Sequence, residues 1–135
     1  MFWNDLTSTN NISCWESAAV KGGANNNTLF LFVGPYNDSD FLVHTFDTQI
    51  NSWSIPKIIG GEVIRTTGLT GIVDHSGKVY LFGGCRSQID CSNDMLILDT
   101  INLKWEKGSS VNAPSPRAYC GATLLPNQHI IYLGK

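Results

Sequence analysis

The chain has 135 residues, of which 42% are hydrophobic and 15% charged, with a formal net charge of -2. That is enough apolar material for a packed domain and too little charge for a disordered one. Mild acidity and singly scattered Lys and Arg residues exclude an electrostatic footprint for nucleic acid or an anionic membrane. No apolar run approaches the roughly 18–20 residues of a membrane helix.

The N-terminus, Met1-Phe2-Trp3-Asn4-Asp5, has neither a basic region nor a continuous apolar segment. It does not read as a signal peptide and is expected to be an internal cut in something longer. A small-residue strand follows at Ser17–Val20, then a turn over Gly22–Asn27, then a dense apolar run, Leu29–Val33, that ends at Gly34. After a loop over Pro35–Asp40, a third strand is expected at Phe41–Phe46 and a fourth around Trp53, with Asp47-Thr48 between them.

The same succession returns. Gly71–Val73 is a small-residue strand, Asp74–Gly77 a turn, and Val79–Phe82 an apolar run ending in Gly83-Gly84. The loop Cys85–Asn93 precedes strands at Met95–Leu98 and around Trp105. A third round starts with Gly121–Leu125, Pro126–Gln128 and Ile130–Leu133, closing at Gly134. The three apolar runs are too short for helices and do not alternate, so both faces of each strand are expected to be buried. Small side chains in the first strands suit a crowded axis where sheets converge.

Asp47-Thr48 with Trp53 is echoed 52 positions later by Asp99-Thr100 with Trp105, and an arginine stands 12 residues beyond each Trp, at Arg65 and Arg117. A repeat of this length marks supersecondary units that cannot bury their apolar faces alone. Four antiparallel strands per unit is the outline of a propeller blade. The chain therefore reads as all-β: one blade over 15–55, a second over 68–107, half of a third over 119–134, and residues 1–8 as the tail of a preceding blade. That is about two and a half blades where closure needs roughly 4 to 8, so a β-propeller fragment is expected.

Tyr80-Leu81-Phe82-Gly83-Gly84, Asn93-Asp94 before an apolar strand, Asp99, Trp105 and Pro116-Arg117 together resemble the kelch repeat. The resemblance covers essentially the whole chain and is closest to kelch and galactose-oxidase-like propellers of fungal proteins. The first unit departs from it, with Val33-Gly34 where a glycine pair is expected. The resemblance implies a circular array of four-stranded blades whose rim loops bind other proteins. Some relatives are enzymes, such as the copper-dependent galactose oxidase, but none of that enzyme's ligand-bearing segments can be matched here.

The residue-level candidates follow from this frame. Gly83 and Gly84 lack the further glycines and the helix of a phosphate loop, so positive φ and close strand approach explain them better. Asp47 and Asp99 are expected to accept turn N–H groups rather than to act as paired acids. Trp53 and Trp105 recur at the repeat period and are expected to pack, whereas Trp15 stands where the later units have Gly68 and Tyr119 and is the candidate for stacking on a sugar or peptide. Arg65 and Arg117 are expected to tie blades together or to line a ligand surface. Cys85 and Cys91 bracket one loop and are a candidate disulfide, with free thiols the alternative. Cys14 and Cys120 read as small buried hydrophobes. His44, His75 and His129 follow no repeat, and no metal or cofactor is expected. Sequons at Asn11, Asn26 and Asn37, with the candidate disulfide, tilt the reading toward a secreted or cell-surface protein.

The function expected is a non-catalytic, kelch-type scaffold presenting inter-strand loops to a partner protein. Tyr36, Gln88 and Asp90 in the variable loops are candidate contacts beside Arg65, Arg117 and Trp15. The remaining blades are the other expected partner. A copper carbohydrate oxidase and a carbohydrate-binding propeller are the alternatives.

Overall fold

The structure, a computed structural model, describes residues 5–9, 12, 16–34, 43–61 and 66–134. Among them there is no α-helix, only a single 3-10 turn at Thr7–Thr9. Strands β1 (Ala18–Gly22), β2 (Thr28–Phe32), β3 (Val43–Asp47) and β4 (Ser52–Ser54) form an antiparallel sheet in chain order. A second sheet has the same plan, with β5 (Thr70–Val73) and β6 (Lys78–Phe82) followed by an inserted hairpin of β7 (Cys85–Ser87) and β8 (Asp90–Cys91). It is completed by β9 (Met95–Asp99) and β10 (Lys104–Lys107). Strands β11 (Gly121–Leu124) and β12 (Ile130–Leu133) form a two-stranded hairpin.

The registers superimpose the units. Ala18 faces Phe32, Thr70 faces Phe82 and Gly121 faces Leu133. Phe46 pairs with Trp53 as Leu98 pairs with Trp105, so the two repeat-matched tryptophans occupy equivalent cross-strand places. The strands expected in the three units are present among the described residues, with ends that agree to within a residue or two; of the expected tail of a preceding blade, residues 1–4 lie outside the described residues and Thr7–Thr9 form the 3-10 turn. The hairpin β7–β8 lies in what the sequence presents only as a loop, because three- and two-residue strands are too short to show a period.

The two sheets stack face to face. Val20, Phe30, Phe32 and Val43 of the first meet Val79, Leu81, Leu98 and Trp105 of the second, and all are buried. Phe32 meets Trp105 edge-on, with ring centroids 6.2 Å apart. Strands β1, β5 and β11 lie side by side, and here the small residues matter. A Cβ on Gly71 would fall 3.0 Å from Leu81 and 3.3 Å from Val20. On the far side of the second sheet, Phe82 stacks on Tyr132 at 4.5 Å.

Two expectations need correction. The apolar runs are not buried on both faces throughout: Leu29 is 38% exposed, Ile131 40% and Leu133 67%. The face of the first sheet that carries Leu29 is covered only in part, at Phe46, which packs on Trp53 with ring centroids 4.9 Å apart. The residue equivalent to Gly68 and Tyr119 is Glu16 rather than Trp15, two positions before the first inner-strand pair in every unit. All three have positive φ, at 53°, 68° and 55°. Only one of the three is glycine, so composition alone did not reveal the shared left-handed bend.

The outer edge of the second sheet is covered. Ile59 bridges to Lys104, with Trp105 N donating to the Ile59 carbonyl at 2.8 Å and Ile59 N donating to the Leu103 carbonyl at 2.9 Å. The segment before β5 thereby satisfies main-chain groups that an edge strand leaves open.

Candidate functional site

The strands have two ends, and they differ in character. At one end lie the tight turns. Asp47 Oδ1 accepts from Gln49 N at 2.8 Å, and Asp99 Oδ1 accepts from Ile101 N and Asn102 N at 2.9 Å each. The hydrogen bonds from the Asn102 side chain and backbone hold the Asp99 carboxyl below the usual carboxylate range. Burial pushes Asp74 upward, but hydrogen bonds from Ser76, Lys78 and Tyr80 outweigh it and leave it below that range. These carboxylates serve their turns.

Thr100 joins two units at this end. Its hydroxyl donates to the Gly77 carbonyl at 2.7 Å and accepts from Gly23 N at 3.0 Å. A Cβ on Gly22 would stand 2.8 Å from the same oxygen. Thr48, its equivalent, donates to the Asn27 carbonyl at 2.7 Å. Beside Thr100 runs an open groove of about 370 Å³ lined by Lys21, Asn26, Asp74, His75 and Ile101, whose Asp74 carboxylate is already engaged by the turn.

The other end carries the irregular segments. Gly83 and Gly84, at φ 76° and 85°, turn the chain out of β6. Gly83 N donates to the Asp94 carbonyl at 3.1 Å and Gly84 N to the Arg117 carbonyl at 2.9 Å. A side chain on Gly83 would collide with the Arg117 carbonyl. The hairpin then projects. Cys85 and Cys91 face each other across it and are joined by a disulfide. Its base exchanges two main-chain hydrogen bonds with Thr67, both 2.9 Å. Residues 86–90 are all exposed, and Ile89 at the tip is 97% exposed.

Of the candidate residues, Gln88 and Asp90 lie on this hairpin, and the Asp90 carboxylate is 3.9 Å from Arg86. Arg117 lies on the neighbouring segment, half-buried, donating to the Ser115 hydroxyl at 2.8 Å, the Ser115 carbonyl at 3.1 Å and the Gly134 carbonyl at 3.4 Å. Trp15, Tyr36 and Arg65 fall outside the described residues, as do Cys14, Asn11 and Asn37. Asn26 is exposed in its turn, with φ 53°. His44, His75 and His129 lie in three different sheets or their turns, and burial lowers the pKa of His44.

Two residues escaped sequence reasoning. Tyr119, 64% exposed, lies over Gly68, and its amide donates to the Gly68 carbonyl at 2.9 Å. Ile89 is the other; a lone aliphatic among polar residues between two cysteines was its available signal. Beneath the hairpin a cavity of about 60 Å³ has Leu69, Leu81 and Leu96 as its floor. Arg86, Asp94 and Lys107 form its rim, and Lys107, 3.0 Å from Asp94, holds that carboxyl below its usual range. Ligand pockets are typically 300–1,000 Å³; this one has room for little more than water. The irregular end offers a surface.

Stacked four-stranded antiparallel sheets, joined so that the small-residue strands run along one line, define a β-propeller array. A sequence profile described as the KLHDC2/KLHL20/DRC7 Kelch-repeats domain matches residues 2–135. The chain belongs to this kelch-repeat family. It is 34% identical over 87 residues to Kelch domain-containing protein 1 of Mus musculus, covering 64% of this chain and 20% of that protein. The Homo sapiens protein of the same name is 31% identical over 96 residues, 71% of this chain and 22% of the relative. An N-(sulfonatooxy)prop-2-enimidothioate sulfolyase of Thlaspi arvense is 29% identical over 113 residues, 78% of this chain and 32% of that protein. The chain thus spans about a fifth to a third of these relatives. The galactose-oxidase alternative is not favoured by this family assignment.

Proposed function

We propose that this chain is a non-catalytic protein-binding scaffold, with the end carrying the hairpin β7–β8 as its binding surface. One observation carries the reading: a hairpin held to the loops on both sides of it lifts a fully exposed Ile89 away from the sheets. Tyr119 and Arg117 on the adjoining segment extend the surface, and both are residue types that recur at binding hot spots. Gln88 and Asp90 supply polar contacts around the aliphatic tip. In this reading Trp15, Tyr36 and Arg65 remain candidate contacts, and the unit boundaries 15–55, 68–107 and 119–134 describe one array that further blades complete.

The opposite end supports this role less well, because its carboxylates and Thr100 are consumed by turns and by the seam between units. The test is site-specific photo-crosslinking in the full-length protein. A photoreactive residue at position 89 should give discrete protein adducts, and one at Gln49 on the opposite end should not. Equal labelling from both positions, or none at 89, would refute the assignment.

A further inference from the structure

The hairpin has little apart from its disulfide to keep it in shape. Its pairing is limited to Cys85 with Cys91 and Ser87 with Asp90, with an irregularity between Cys85 and Ser87. The Arg86–Asp90 ion pair is 3.9 Å long and exposed, a kind of contact that contributes little. Ile89 touches no core, and a two-stranded ribbon is marginal in water. Yet its base is wired to both neighbouring segments. Cys85 and Thr67 exchange main-chain hydrogen bonds, Thr67 Oγ1 also donates to the Cys85 carbonyl at 3.1 Å, and Ser92 N donates to the Gly84 carbonyl. Gly84 N in turn holds the Arg117 carbonyl.

The second sheet, by contrast, is sealed without the disulfide. Val79, Leu81, Leu98 and Trp105 are buried against the first sheet, in a core cluster to which neither Cys85 nor Cys91 belongs. The cross-link therefore orders a surface element and leaves the fold to the core.

From this we infer that Cys85 and Cys91 form a thiol–disulfide switch that sets the order of the binding surface: oxidised, the hairpin and the segments at Thr67 and Arg117 are held in one arrangement; reduced, they loosen while the sheets stay intact. The chemistry is ordinary exchange. A dithiol reductant attacks one sulfur as a thiolate, forms a mixed disulfide, then closes its own disulfide and releases Cys85 and Cys91 as two thiols. Two electrons and two protons pass to the protein, and the dithiol is oxidised. Cys85 and Cys91 are themselves partly exposed and residues 86–90 between them are exposed throughout, which leaves the disulfide within reach of a small dithiol. The consequence for a partner follows from preorganisation, since a loop ordered before binding costs less to immobilise. That consequence rests on the proposed function; the switch itself does not.

Amide hydrogen exchange on the full-length protein, oxidised and dithiol-reduced, tests it without any partner. Reduction should speed exchange at Thr67, Gly84, Cys85 and Ser92 on the order of 50-fold, as loss of a short closed loop implies. Strands β6 and β9 should not change. A Cys85→Ser, Cys91→Ser double variant should match the reduced protein and ignore the reductant. Unchanged exchange on reduction overturns the inference, as does loss of protection through β6 and β9, or alkylation of both cysteines under every oxidant tried. With the crosslinking carried out on the oxidised protein and the exchange measured without a partner, failure of the binding reading and failure of the switch give different results.

Discussion

Thr100 shows how much one hydroxyl can hold. It is 3% exposed and serves two main-chain groups from different units, accepting from Gly23 N and donating to the Gly77 carbonyl. Thr100→Val keeps the shape and strands both partners, which should cost about 1–3 kcal/mol, read as a lower Tm; Thr100→Ser should recover most of it. The aspartates give a second residue-level expectation. Asp74, Asp94 and Asp99 all have folded pKa values below the ordinary 3.8. The unfolded chain therefore takes up protons first as pH falls. The stability they contribute is fully present above 3.8 and is lost as pH drops through that value and past the folded ones. Thermal melts from about pH 5 to about pH 2 should show a falling Tm, and Asp99→Asn, which keeps a turn acceptor but cannot titrate, should flatten that decline. The glycine and Asp-Thr roles were legible in the sequence because each rests on local backbone chemistry that recurs. The left-handed bend at Glu16, Gly68 and Tyr119 was not, because tertiary context imposes it on three unlike residues.

At the level of elements, the apolar runs and their terminal glycines were readable because every strand that packs between sheets must be dense and short. Burial on both faces was over-read. The composition of Leu29–Phe32 and Ile130–Leu133 records neighbours that the described residues do not supply. The hairpin was readable only as two cysteines around a loop. Its projection, and the exposure of Ile89, depend on Thr67 and Arg117 lying on either side, which nothing local encodes. Candidate contacts at Gln88, Asp90 and Arg117 do share one end of the strands, with Tyr119 joining them from outside the sequence-based set. Tyr132 has a buried hydroxyl with no hydrogen-bond partner among the described residues, and burial, then Cys120, pushes its pKa up to about 12.

For the whole molecule, stacking contributes more than any site. A buried Trp hides about 150–250 Å², so Trp105 alone accounts for roughly 4–6 kcal/mol of gross burial, an upper bound. The same physics leaves a liability in the 135-residue chain. Ile131 and Leu133 are exposed on β12, which among the described residues pairs with β11 alone, and Leu29 is exposed on β2. Such surfaces and edges promote association. Sedimentation velocity of the isolated chain should show self-association that rises with concentration. A single monomeric species with sharp two-state melting would contradict that.

Gly22 carries one last implication. In the second unit its place opposite the following strand is taken by Asp74, whose side chain could not fit where a Cβ would already crowd Thr100. The joint between the first two units cannot simply be copied at the next one. Although the repeats look alike on paper, they are not interchangeable bricks, and their order along the chain is written into the joints themselves.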